Sequence, residues 1–158
     1  MRYSYASNYN VKYKKENMAK VVGRALPIST KFAVEICSFI RHKNLSDAKK
    51  ILQEVIELKR AIPFRRYKRD LSHKKEVGPG RYPKKASKEV LKLIESVEAN
   101  AQFKGLNTSN LEIVHICAHK ASRPWHYGRK RGRRMKRTHI EIIVEEKSSK
   151  EEKKAKND

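Results

Sequence analysis

RPWHYGRKRGRRMKRTHIEIIV, residues 123–144, begins as a run of positive charge and ends as a β-strand. From Thr138 onward, THIEIIVEE is rich in β-branched residues, the pattern of a strand with a buried face. Ahead of it stand Arg123, Arg129, Lys130, Arg131, Arg133, Arg134, Lys136 and Arg137, without one carboxylate between them. LEIVHICAH, residues 111–119, reads as a second strand, so the charged run lies between two strands. From Lys120 to Arg137 the only sizeable apolar groups are Trp125, Tyr127 and Met135, too few for a core. Gly128 and Gly132 permit a turn, while Pro124 disfavours a paired central position. The pattern predicts a long β-hairpin at about 111–146, with its base in a sheet and an arm at about 120–137 that protrudes. With ~10 residues per side at about 3.3 Å each, the tip would sit roughly 30 Å from the base. Such an arm repels itself in water and has little reason to be ordered there. It would gain order by lying in RNA, where phosphates neutralise it and Trp125 or Tyr127 can stack on bases.

The remainder predicts a body for this hairpin. Residues 17–26 (NMAKVVGRAL) suit a short strand, weakened by Gly23 and ended by Pro27. Ser29 can cap a helix whose apolar positions Phe32, Ala33, Ile36, Cys37, Phe39 and Ile40 recur at helical spacing. A second helix is expected after a cap at Ser46, with Ala48, Ile51, Leu52, Val55 and Leu58 on one stripe and Pro63 as its stop. Residues 62–86 have no apolar period and carry Pro63, Gly78, Pro79, Gly80 and Pro83, which predicts an extended loop. A third helix is expected from about Ser87 to Lys104, with Val90, Ile94, Val97 and Ala101 inward and Gly105 at its end. The expected fold class is α+β: three helices packed on a small, mainly antiparallel sheet with a long protruding β-hairpin. Residues 1–146 are read as one domain, and 147–158 as a charged, solvated tail.

Composition narrows the function. The 158 residues suffice for one domain with a real core. With 35% charged residues, 38% hydrophobic ones and a net charge of +22, the surface points to a polyanionic partner. The segment after Val144 has five acids, Glu145, Glu146, Glu151, Glu152 and Asp158, against Lys147, Lys150, Lys153, Lys154 and Lys156. The excess is therefore internal, in the arm and in residues 59–85, where eleven bases face only Asp70 and Glu76. The tail's bases are all lysine, whereas the arm is mostly arginine, whose planar fork suits bidentate phosphate contacts and stacking. No apolar run approaches the ~18 residues of a membrane span, and the opening MRYSYASNYN lacks the apolar segment of a secretory signal. Cys37 and Cys117 form no CxxC pair, so neither a disulfide framework nor a zinc ribbon is expected, and the compartment reads as cytoplasmic.

Several residues admit competing uses. His115, Cys117 and His119 share a strand face, and His139 could reach them from the partner strand, a formal tetrahedral zinc set. Ile113 is expected on the same face, and closely spaced strand ligands seldom converge. Packing or RNA contact by the histidines is preferred, with no metal and no cofactor. Cys37 belongs to an apolar helical stripe and reads as core. Tyr3, Tyr5, Tyr9 and Tyr13 could stack on bases or pack on the body. Acids lie on helix faces and in the tail, apart from Asp70 and Glu76, so paired carboxylates in a cleft are hard to build, and no GxSxG, Walker A or GxGxxG pattern occurs. An RNA-acting enzyme and a DNA-packaging protein are the competing classes. The arginine hairpin suits a crevice in folded RNA better than a B-form groove.

Three segments together resemble one family: ISTKFAVEICSFIRHKNLSDAKKIL, then PFRRYKRD with GPGRYPKKASKEVLKLIESVEANA, then AHKASRPWHYGRKRGRRMKRTHIEIIVEE. The chain resembles, over nearly its whole length, the large-subunit ribosomal protein family numbered twenty-two in the universal scheme, in its archaeal and eukaryotic form. The GPGRYP insert and the long hairpin ending in THIEIIV are the specific features. The resemblance implies binding to 23S-type ribosomal RNA and a hairpin lining the polypeptide exit tunnel near its constriction, opposite an extension of ribosomal protein four. It implies neighbouring large-subunit proteins and the nascent polypeptide as further partners, with no membrane, no small-molecule substrate and no enzymatic activity. The residues expected on RNA are Arg65, Arg66, Tyr67, Lys68, Arg69 and Arg81 in the loop. In the arm they are Lys120, Arg123, Trp125, His126, Tyr127, Arg129, Lys130, Arg131, Arg133, Arg134, Lys136 and Arg137.

Overall fold

A computed structural model describes residues 16–147; the N-terminal tyrosines and residues 148–158 of the tail lie outside the described residues. The elements run β1 (Met18–Leu26), α1 (Thr30–Ile40), α2 (Leu45–Ile56), β2 (Ile62–Pro63), β3 (His73–Lys74), β4 (Gly78–Arg81), α3 (Lys84–Phe103), β5 (Leu111–Lys120) and β6 (Thr138–Glu146). The last strand spans the THIEIIVEE stretch from which the fold was read. It is the centre of an antiparallel sheet of order β1-β6-β5, and a second, smaller sheet has the order β2-β4-β3. The fold class is α+β, as expected.

The period-2 side-chain rule explains the sheet's two faces. Ile140, Ile142 and Val144 of β6 are fully buried and join Leu111, Ile113 and Ile116 of β5 in one core with the helix stripes. Ile113 and Ile116 differ by an odd number, yet both are core residues. A register irregularity between Ile113 and His115 takes up the extra residue. The same device appears in β1, where the register shifts between Gly23 and Leu26. Gly23 is more than a weak strand residue. A Cβ there would stand 2.8 Å from Leu93 Cδ1, so glycine lets α3 approach β1 closely.

The helices differ from expectation at their ends. Ser29 is the N-cap residue of α1, with extended backbone but no side-chain capping bond. The α2 cap is Asn44 rather than Ser46, because Leu45 is buried as the first helical residue and Asn44 bridges to Glu112 at the sheet edge. Leu58 is not on the buried stripe. It follows the helix with φ 67° and is 49% exposed, occupying the left-handed closing position where glycine is usual. Helix α3 begins three residues before Ser87, directly after Pro83, which is well tolerated at a helix start.

Residues 62–86 are expected as an extended loop, and three short strands and the start of α3 interrupt it. Ile62 pairs with Arg81 and Pro63 with Gly80, while His73 and Lys74 pair with Pro79 and Gly78. Ile62 and Phe64 are buried, and Phe64 packs edge-on against Phe32 with ring centroids 5.3 Å apart. Strands of two to four residues carry too little periodicity to stand out in sequence.

Candidate nucleic-acid interface

The basic loop is held by an acid. Glu35, 3% exposed on α1, accepts hydrogen bonds from three successive backbone N–H groups, Arg65 at 3.1 Å, Arg66 at 3.0 Å and Tyr67 at 2.7 Å. A buried carboxylate is stable only if its oxygens are satisfied, and consecutive amides in a turn supply that. The consequence is a fixed loop whose side chains Arg65, Arg66, Lys68 and Arg69 are exposed. Tyr67 is half-buried, between the Lys31 ammonium at 5.7 Å and the Arg66 guanidinium at 5.5 Å from its ring centre. The sequence signal for Glu35 was an acid inside an apolar helical stripe, and it was missed. Arg81 is exposed on β4, opposite Ile62.

The β5–β6 ladder runs from Leu111 opposite Glu146 to Lys120 opposite Thr138. Beyond it, backbone bonds continue from Ala121 N–H to Arg137 C=O (3.2 Å), Met135 N–H to Pro124 C=O (2.8 Å) and His126 N–H to Arg133 C=O (2.8 Å). Trp125 and Arg134 form an isolated antiparallel bridge, and the Arg134 guanidinium lies 4.2 Å from the Trp125 ring centre. A single 3-10 turn at Gly128–Lys130, opened by Gly128 at φ 67°, closes the segment. His126 and Tyr127 stack at 4.8 Å. Arg123, Trp125, Tyr127, Arg129, Lys130, Arg131, Arg133, Arg134 and Lys136 are all exposed, with Trp125 at 57% and Tyr127 at 80%.

The two groups meet at the arm's base. Thr138, wholly buried, donates to the Ile28 carbonyl at 3.0 Å and shares a 2.9 Å hydrogen bond with Thr30. This ties the start of β6 to the start of α1. Around the junction lies a hollow of about 350 Å³ whose walls include Lys31, Lys68, Lys120, Arg123, Lys136 and Arg137, with no carboxylate among its lining residues. No ion pair among the described residues involves a base of the arm or of the 65–69 cluster. The pairs that do form lie elsewhere, such as Lys49 with Glu98 between α2 and α3.

The histidine face of β5 is built differently from expectation. The irregularity at Val114 moves Ile113 to the core face, and the cross-strand acid is Glu141, a fully buried residue on a strand rather than on a helix. Glu141 Oε1 is 2.7 Å from His115 Nε2 and 3.2 Å from His119 Nε2. His139 lies opposite His119 but turns Nδ1 to accept from the Ala25 N–H at 3.1 Å. Cys117, His119 and Glu141 bring donor atoms within 4.8 Å of one another, the only arrangement among the described residues close enough for a metal ion. Burial, with Glu141 adding to it, raises the Cys117 thiol above its ordinary range, so it is held as the neutral thiol.

Helices on an antiparallel sheet, with a basic loop and arm that meet at a hollow lined by no acid, define a basic α+β protein suited to a polyanion. The chain belongs to the ribosomal protein L22p/L17e family, whose model matches residues 21–145. It is 44% identical over 147 residues to the large ribosomal subunit protein uL22 of Archaeoglobus fulgidus, covering 86% of this chain and 95% of the relative. The corresponding protein of Thermofilum pendens is 41% identical, covering 87% and 95%. That of Nanoarchaeum equitans is 45% identical, covering 83% and 80%.

Proposed function

We propose that this chain is a structural constituent of the large ribosomal subunit, binding 23S ribosomal RNA in the cytoplasm, stabilising its folded domains and lining the polypeptide exit tunnel with the β5–β6 hairpin. The observation that carries the reading is the unpaired charge: the bases of the arm and of the loop cluster have no acidic partner among the described residues. Such charge costs free energy in the isolated protein and is neutralised when it displaces counterions from phosphates. Family membership supports the same assignment.

On this reading the residues divide by height along the hairpin. The loop cluster with Lys120, Arg123, Lys136 and Arg137 anchors the body on RNA. Arg81 on β4 is a separate phosphate contact. Arg129, Lys130, Arg131, Arg133 and Arg134 neutralise RNA along the arm, while Trp125, His126 and Tyr127 stack on bases or face the nascent polypeptide. Neighbouring large-subunit proteins complete the surroundings. No membrane and no small-molecule substrate enters the account, and the role is not enzymatic.

The test is a chemical footprint of the full chain on 23S ribosomal RNA, repeated with a chain lacking residues 123–134. The reading predicts a compact set of protected nucleotides, of which one subset vanishes with the arm tip. Equal protection of duplex DNA and ribosomal RNA at matched salt would overturn it.

A further inference from the structure

The hollow at the arm's base is assembled from three parts of the chain distant in sequence. Lys31 comes from the first turn of α1, Lys68 from the loop that Glu35 holds, and Lys120, Arg123, Lys136 and Arg137 from both sides of the hairpin. Placing six bases around about 350 Å³ is electrostatically unfavourable unless an anion enters. The surroundings do not supply one. The first turn of α1 has no acidic residue, Ser29 makes no side-chain cap, and no acid lines the walls. The helix's own partial positive charge adds to the same field. The geometry is also fixed, because the Thr138 hydrogen bonds to Ile28 and Thr30 lock the hairpin's base to α1, and the Glu35 bonds lock the loop to the same helix.

We infer that this hollow seats one backbone phosphate of the bound RNA, gripped jointly by α1, the loop and the hairpin's base. The inference rests on the RNA-binding reading above and deepens it: loop and hairpin act on a single point of one strand rather than on separate segments. It also assigns an RNA contact to Lys31, which no sequence pattern had marked. The hollow fits a phosphodiester better than a base. Its cations can converge on two non-bridging oxygens, and its one aromatic wall, Phe32, is already covered by the Lys68 ammonium at 5.2 Å.

The experiment is a double-mutant cycle on the full-length protein, with affinity for 23S ribosomal RNA as the readout. Lys68 and Arg123 are exposed, so Lys68→Ala and Arg123→Ala leave the core untouched. Each single substitution is expected to weaken binding about fivefold to tenfold, as for one charged contact. The double variant should lose at least threefold less than the product of the singles, because removing either base already loosens the shared phosphate. Lys68→Ala combined with Arg131→Ala at the tip should instead be multiplicative. A Lys68/Arg123 pair as multiplicative as that control would overturn the inference while leaving RNA binding intact. Ethylation interference gives a second readout. One RNA position should exist at which a neutral ethyl phosphate weakens binding of the unaltered protein but not of the Lys68→Ala/Arg123→Ala variant. Identical interference patterns for the two proteins would also overturn the inference. If the unaltered protein shows no preference for ribosomal RNA, the broader reading fails instead.

Discussion

Glu35 is the residue on which the loop's conformation depends. Its carboxylate takes three backbone N–H bonds in a nearly dry site, and replacing it leaves those donors without a partner. At ~1–3 kcal/mol per abandoned buried group, with partial relief as water enters, Glu35→Ala should destabilise the fold by about 2–4 kcal/mol. Denaturant unfolding measures that. RNA affinity should fall as well, although no cation has been removed, because Arg65 to Arg69 are no longer presented together. Full stability in the variant would show that the loop holds itself. Cys37 supplies a pH-dependent contrast. Burial, with Cys117 nearby, pushes its thiol from 9.0 up to about 12. A raised native value means that its stabilising contribution is whole below about pH 9 and is lost as pH climbs toward about 12. Stability should therefore fall between those limits more steeply in the natural protein than in Cys37→Ala, as followed by urea midpoints. Parallel curves would refute the assignment.

At the scale of elements, the hairpin separates into a load shared with the core and a tip that shares nothing. Ile113, Ile116, Ile140, Ile142 and Val144 are buried, while residues 123–134 contribute no buried side chain. Deleting 123–134 and closing the chain with a short turn should change unfolding free energy by less than about 1 kcal/mol. Under the proposed tunnel role, subunits reconstituted with this protein should assemble, and translation of a stalling peptide should change relative to a neutral one, since a wall built by the arm would lose bulk and positive charge at one depth. Unchanged stalling with normal incorporation would remove the tunnel role, and failure to assemble would make the tip an anchor. The hairpin strands were legible in sequence because β-branched residues crowd LEIVHICAH and THIEIIV, and α3 because its inward residues recur at helical spacing over twenty residues. What escaped was short or depended on distant partners. The β2-β4-β3 sheet has strands of four residues or fewer, the irregularity at Val114 inverts a face without any glycine or proline to announce it, and Glu141 was overlooked as a buried strand acid. The candidate RNA residues were found as two separate clusters. The Thr138 bonds to Thr30 and Ile28, about 110 residues away in sequence, and the Glu35 bonds to the loop together bring Lys31 and Lys68 to the hairpin's base.

At the scale of the whole molecule, the account is one of charge placement. The net +22 is concentrated on the loop and arm, while the segment after Val144 cancels its own charge, five against five. Removing the residues after Glu146 takes away five lysines and three acids, a net +2 out of +22, so the salt dependence of RNA binding should change little, and a marked loss of affinity would show that the tail takes part. The most direct test of the central claim is the salt dependence itself, measured as affinity of the full chain for 23S ribosomal RNA against salt concentration. If about eight bases of the loop and arm each neutralise a phosphate, releasing ~0.7–0.9 counterion apiece, the log–log slope should be about −6 to −7. A slope shallower than about −2 would mean that this charge lies away from the RNA, and would contradict the account.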